Sequence, residues 1–112
     1  MLAPSNIHYS QDSISNRFGQ CTQHAGVLIG KTLDDLLSGK ISINDISRIE
    51  VVSRDGIYRS ADNRRLWIFK KLECLGECSK VPVRFIQYIN PQKCVIESTI
   101  RVRGDPGGTL WR

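Results

Sequence analysis

The stretch IEVVSRDGIYRSADNRRLWIFKKLECL, residues 49–75, decides how the chain folds. Ile49, Val51 and Val52 favour an extended backbone, which predicts a strand over 49–53. Arg54-Asp55-Gly56 follows as a hairpin turn, because Asp-Gly supplies the positive φ that tight turns require. Residues 57–60 are then the returning strand. Without a linker the chain enters Asp62-Asn63-Arg64-Arg65 and a helix running to about Leu75. Ile68, Phe69, Leu72 and Leu75 fall on one face of that helix, and Gly76 is its stop.

Upstream, residues 6–9 predict a brief strand, followed by a helical turn through Ile14 and Phe18 capped by Ser10 or Asp12. Residues 19–30 contain three glycines and little periodicity, so they are expected as loop. Thr32 is the expected N-cap of a second helix. Asp34 and Asp35 then lie in its first turn, where the dipole favours anions, and Leu33, Leu36 and Leu37 turn inward. That helix ends near Ser38-Gly39. Downstream, residues 81–86 alternate as a strand, with Pro82 favouring an edge or a strand start. Asn90-Pro91 breaks it, residues 96–102 predict one more strand, and 104–108 are expected to fray into a tail. The fold class is α/β (α+β): a small mixed sheet with two or three helices. Residues 1–112 form one domain, with its core over about 6–87 and an extra strand and tail over 88–112.

Composition agrees with one globular unit. Of 112 residues, 40% are hydrophobic and 24% charged, which is not the balance of a disordered chain. Sixteen Lys and Arg against 11 Asp and Glu give a formal charge of +5, which suits an anionic partner. The start of the sequence has neither a basic region nor an apolar stretch of secretory type. Apolar runs reach three or four residues, so no membrane partner is expected. Four cysteines without such a signal predict free thiols in an intracellular setting, cytoplasmic or nuclear.

Local chemistry exceeds packing at the strand-to-helix junction. A helix start leaves backbone N–H groups unpaired and carries partial positive charge. Asn63, Arg64 and Arg65 occupy that first turn, where basic side chains oppose the dipole. A bound anion reverses the penalty, because N–H groups, dipole and guanidinium forks converge on it. Asp62 is the natural cap and a carboxylate able to orient an arginine. Without an anion, Arg64 and Arg65 would point to solvent or pair with Asp55, Asp62 or Glu50.

The order of strand, helix, Asp-Gly hairpin, Asp62-Asn63-Arg64-Arg65-Leu66 and Val-Pro-Val strand resembles the ParB/sulfiredoxin superfamily over roughly residues 6–87. Tyr58 to Phe69 is most similar to small ParB-like domains of bacterial polymorphic toxins and their stand-alone relatives. Ile100-Arg101-Val102-Arg103-Gly104 also resembles the tail of such domains. In this superfamily the junction reads Gly-Glu-Arg-Arg or Gly-Cys-His-Arg and binds nucleotide phosphates against the helix start. The resemblance therefore implies a phosphate-binding domain for nucleotide or nucleic acid, or a ParB-like nuclease or nucleotide hydrolase. A module for protein interaction is the alternative. Its implied site residues are Asp62, Asn63, Arg64, Arg65 and Arg17, the last resembling an arginine that faces the nucleotide pocket. Asn63 replaces the cysteine nucleophile of sulfiredoxins, and an amide cannot take up that role. Asp62 replaces a glycine and brings a negative charge toward the phosphate. Within 112 residues there is no room for the helical DNA-binding and dimerisation parts of a partition protein.

Hydrolysis would need a water activator, for which His8 and Arg17 are among the polar groups available, or a divalent metal accompanying the nucleotide and held by carboxylates. Glu50, Asp62 and Asp12 are the candidates, and no spacing compels them, so the catalytic residues stay unassigned. Cys21, His24, Cys74 and Cys78 can be written as a zinc set, but neither half has the form of a tight knuckle. Trp67 and Tyr58 could stack on a base; Trp67, in an apolar run, is expected to pack instead. Lys70 and Lys71 are expected on a solvated helix face, extending the positive charge of Arg64 and Arg65 toward a polyanion.

Overall fold

A computed structural model describes residues 1–18, 26–89, 93 and 95–112. Its centre is the hairpin of β3 (Ile49–Arg54) and β4 (Ile57–Ser60), antiparallel with Val52 opposite Arg59 and Arg54 opposite Ile57. Asp55 (φ 55°) and Gly56 (φ 78°) turn it, both left-handed as a two-residue hairpin of matching twist requires. β1 (Ile7–His8) joins β4 in parallel, and β5 (Val83–Phe85) joins β3 in parallel. The sheet order is β1-β4-β3-β5.

Two residues after β4, helix α2 (Asn63–Cys74) begins. It buries Leu66, Trp67, Ile68, Phe69 and Leu72 against Ile7, Ile49 and Val51 of the sheet and Ile29 and Leu33 of helix α1 (Ile29–Leu37). Each such side chain contributes roughly 1.5–3 kcal/mol by leaving water. A second, two-stranded sheet pairs β2 (Ser13–Ser15) in parallel with β6 (Arg101–Arg103) and lies beside α2. The described residues form an α+β architecture, a mixed sheet with two α-helices. Among the described residues, no helix is long and apolar enough to cross a membrane.

The hairpin and α2 lie where the sequence predicts them, but several flanking elements differ. Ile14 sits in a strand and not in a helical turn: it is buried between half-exposed Ser13 and Ser15, a period of two. Three residues are too few to separate that period from a helical one. α1 starts three residues before Thr32, which is buried inside the helix rather than capping it. Leu75 ends α2 exposed, so the buried face runs from Leu66 to Leu72. The last strand covers 101–103 only, with Glu97 bridging Tyr9 separately. Residues 19–25 of the expected loop and the break at Asn90-Pro91 lie outside the described residues.

The C-terminal segment does not fray. The Pro106 carbonyl accepts the Gly30 N–H at 2.7 Å, and the Asp34 carboxylate accepts the N–H groups of Thr109 and Leu110 at 2.7 and 2.8 Å. The Trp111 indole N–H donates to the Gly107 carbonyl at 2.8 Å. A Cβ on Gly30 would stand 1.9 Å from that carbonyl oxygen, so only glycine admits the tail against α1.

Candidate functional site

The start of α2 is held by bonds that extend the hairpin beyond its last strand residue. Ala61 N–H donates to the Glu50 carbonyl at 2.8 Å, and Asp62 N–H donates to the Ser60 hydroxyl at 2.9 Å. The Asp62 carboxylate does not cap the helix, contrary to the sequence expectation. It accepts the Glu50 N–H at 2.7 Å and stands 3.4 Å from the Arg65 guanidinium. It therefore anchors the helix start to β3 and orients Arg65. As a result, the N–H groups of Asn63, Arg64 and Arg65 meet no acceptor among the described residues. Leu66 N–H, bonded to the Asp62 carbonyl at 3.0 Å, is the first one satisfied.

Asn63 is a strut. Its side chain is buried, accepts the Ser10 N–H at 2.8 Å, and donates to the Ser10 hydroxyl at 3.0 Å and to Gln11 Oε1 at 3.2 Å. Ser10 in turn donates its hydroxyl to the Ser60 carbonyl. The end of β1, the end of β4 and the first turn of α2 are thus locked by one amide.

In front of the helix start is a cleft of about 80 Å³, walled by Gln11, Phe18 and Lys93 together with residues 61–65. Its cations are tethered to neutral carbonyl groups. Arg64 donates to the Arg17 carbonyl at 3.0 Å, Arg65 to the Arg48 carbonyl at 3.2 Å, and Lys93 to the Ala61 carbonyl at 2.6 Å. Carbonyl tethers fix the positions of the charges without neutralising them. Three cations face one carboxylate, Asp62. Burial, and then the like charges of Arg103 and Arg65, push the Arg64 guanidinium below its ordinary value, against a smaller pull from Asp62.

Asp62, Asn63, Arg64 and Arg65 all line this one cleft. Arg17 joins through its carbonyl, while its guanidinium donates to the Gly26 carbonyl at 2.8 Å. Lys93, Gln11 and Phe18 were not legible as partners, because remote segments deliver them and nothing local marks them. Glu50 turns its carboxylate to Arg84 at 3.7 Å, and Asp12 lines a separate hollow with Glu97 and Arg101. Among the described residues a divalent ion at the cleft would find a single carboxylate, already engaged, so that donor set does not fit a resident metal. Among the described residues, no three His, Cys, Asp or Glu side chains come together as ligands. Cys21 and His24 lie outside the described residues, Cys74 is exposed and Cys78 half-buried.

Trp67 packs, as expected, and Tyr58 packs as well. Trp67 is buried with its ring edge-on to Trp111 at 5.2 Å, and Tyr58 tilts against Phe85 at 6.0 Å. Lys70 is not a plain solvated lysine: its ammonium lies 4.6 Å from the centre of the Tyr9 ring and donates to the Ser98 carbonyl. Burial lowers its pKa, and lifts that of the Tyr9 phenol. The chain matches no protein-family model, no curated protein and no solved structure.

Proposed function

We propose that this domain binds phosphate groups of a nucleotide or nucleic acid at the start of α2, the ligand class that the ParB/sulfiredoxin resemblance implies. One observation carries the reading. Among the described residues, the three N–H groups without an acceptor at this helix start belong to residues that line the same cleft as Lys93, and the charges of Arg64, Arg65 and Lys93 exceed the one carboxylate present. Without a ligand that arrangement is unfavourable twice over, through dipole and like-charge repulsion. A phosphate relieves both and supplies the acceptors that the N–H groups lack. The engagement of Asp62 with β3 and Arg65 draws its charge away from the ligand, which answers the objection raised by its replacing a glycine. Binding is favoured over cleavage, because among the described residues no second carboxylate converges on the cleft to activate water or share a metal.

Titration with pyrophosphate and nucleoside triphosphates, paired with thermal melts, tests the site. Arg64→Ala is expected to weaken binding about tenfold or more, from the loss of a charge-assisted hydrogen bond. Its melt should stay level or rise slightly, since one charge leaves the positive end of the dipole. Arg65→Ala should weaken binding similarly and melt somewhat lower, because Asp62 loses its partner. Wild-type affinity in both variants overturns the proposal.

A further inference from the structure

The cleft is small and the positive charge continues beyond it. Pockets that enclose a drug-sized ligand measure roughly 300–1,000 Å³, whereas this one holds about 80 Å³. It has room for a phosphate group and not for a whole nucleotide, so the rest of the ligand lies outside on the surface.

Outside, the cations form a row. Arg64, Trp67 and Lys71 are spaced three and four residues apart and share one flank of α2, spanning about 10 Å. Arg103, exposed on β6, is near enough to weigh on the charge of Arg64 and donates to the Ser13 hydroxyl at 2.8 Å. The Lys71 ammonium is 5.7 Å from the ring centres of both Trp67 and Trp111, which hold a cation without neutralising it. Ion pairs among the described residues lie elsewhere: Arg65 with Asp62, Arg84 with Glu50, and Arg112 with Asp105. Arg64, Arg103 and Lys71 thus have no carboxylate partner among the described residues.

Building on the phosphate-site reading, we infer that the ligand is a single-stranded nucleic acid, one phosphate in the cleft and the following ones along Arg64, Arg103 and Lys71. A flexible strand can bring a phosphate to recessed N–H groups. Reading a rigid duplex through its major groove, about 12 Å wide, would instead need a protruding helix or β-ribbon, and α2 is buried along Leu66 to Phe69. Arg112 lies over the Trp111 ring at 4.7 Å, so this flank meets phosphates rather than stacked bases.

Fluorescence anisotropy with labelled oligothymidylates of about 4 to 16 nucleotides, against thymidine triphosphate as competitor, tests the inference on the full chain. Affinity should rise with length and fall with salt. Lys71→Gln and Arg103→Gln should each weaken the longer oligonucleotides several-fold and lower the salt slope by about 0.7, and Lys71→Gln, at the far end of the row, should leave thymidine triphosphate affinity unchanged. Lys71→Arg should restore the loss. If oligonucleotide affinity is independent of length, or both variants bind like wild type while the triphosphate still binds, the row fails and the cleft stands. Duplex binding as tight as single-strand binding, or binding to anionic vesicles alone, also overturns it. If the wild type binds neither triphosphate nor oligonucleotide, the cleft reading itself falls.

Discussion

Both helices begin without a side-chain cap, at Leu28 for α1 and Asp62 for α2, yet their first N–H groups have different fates. In α1 the Ile29 N–H goes to the Asn16 carbonyl at 2.9 Å and the Gly30 N–H to the Pro106 carbonyl at 2.7 Å. The chain supplies its own acceptors from two remote segments, and Gly107 lies against Gly30 to seal the end. In α2 the matching groups open into a cleft bordered by Arg64, Arg65 and Lys93. The same physical need is met internally at one helix and left for an external acceptor at the other. An open end surrounded by fixed cations is therefore informative here, because the protein shows how it closes an end for structure alone.

The largest expected effect breaks the closed end. Gly30→Ala places a Cβ 1.9 Å from the Gly107 oxygen and 2.7 Å from its carbon, both backbone atoms that cannot swing aside. Alanine gains about 1 kcal/mol of helix propensity, but expelling the tail or overpacking the contact costs about 3 kcal/mol or more. Chemical denaturation should show a net loss of about 2 kcal/mol, with pyrophosphate affinity retained. A variant as stable as wild type would mean that the tail does not seal α1.

At the open end, Asn63 separates support from ligand binding. Asn63→Ala leaves the buried Ser10 N–H without its acceptor and should cost about 1–3 kcal/mol in denaturation. Asn63→Asp keeps an acceptor for Ser10 and adds a second carboxylate beside the cleft. Its main effect should be on binding, with pyrophosphate affinity falling while much of the stability remains. Equal losses of stability and affinity in the two variants would show that Asn63 acts on the ligand only through the fold.

The contrast between the two ends also tracks what the sequence could reveal. The hairpin and α2 depend on neighbours: Asp55-Gly56 fixes the turn, and the apolar residues of 66–72 fix the helix face. Arg64 and Arg65 were legible for the same reason, since a helix start is a local feature. β2 was not, because its partner Arg101–Arg103 lies far along the chain and only the pairing makes Ser13–Ser15 extended. The start of α1 was misplaced because the acceptors that replace a cap come from Asn16 and Pro106. Gly107 and Gly108, with φ of 78° and 83°, look like fraying in sequence but are what allows the tail to approach Gly30. Lys93 was missed at the site on the same grounds: its ammonium reaches Ala61 across a long separation that no local pattern encodes.

The smallest expected effect sharpens the account of the closed end, through acid. In the tail that seals α1, the Asp105 carboxylate accepts the Gly107 N–H at 2.8 Å and pairs with Arg112, whose guanidinium lies over the Trp111 ring. The Gly107 bond, followed by the bond from Arg112, holds the Asp105 carboxyl below its ordinary range. A carboxyl whose pKa is depressed in the folded chain contributes stability above its unfolded value, and that contribution fades as pH falls through the folded one. The window therefore opens near pH 4, the ordinary aspartate value, and extends downward. Asp105 is exposed, so solvent screens the pair and the global melt should barely move. The local readout is the Trp111 indole N–H, bonded to the Gly107 carbonyl beside it. Its NMR resonance should shift as the pH is lowered through that window. Asp105→Asn should show much of the acid-form shift already at neutral pH, and added salt should move the wild type the same way. Pyrophosphate affinity at pH 7 should be unchanged, because the open end of α2 does not use this carboxylate. An indole resonance that stays fixed until global acid unfolding, in wild type and Asp105→Asn alike, would remove Asp105 from the clasp and leave Asp34 and the Gly30 contact to hold the tail.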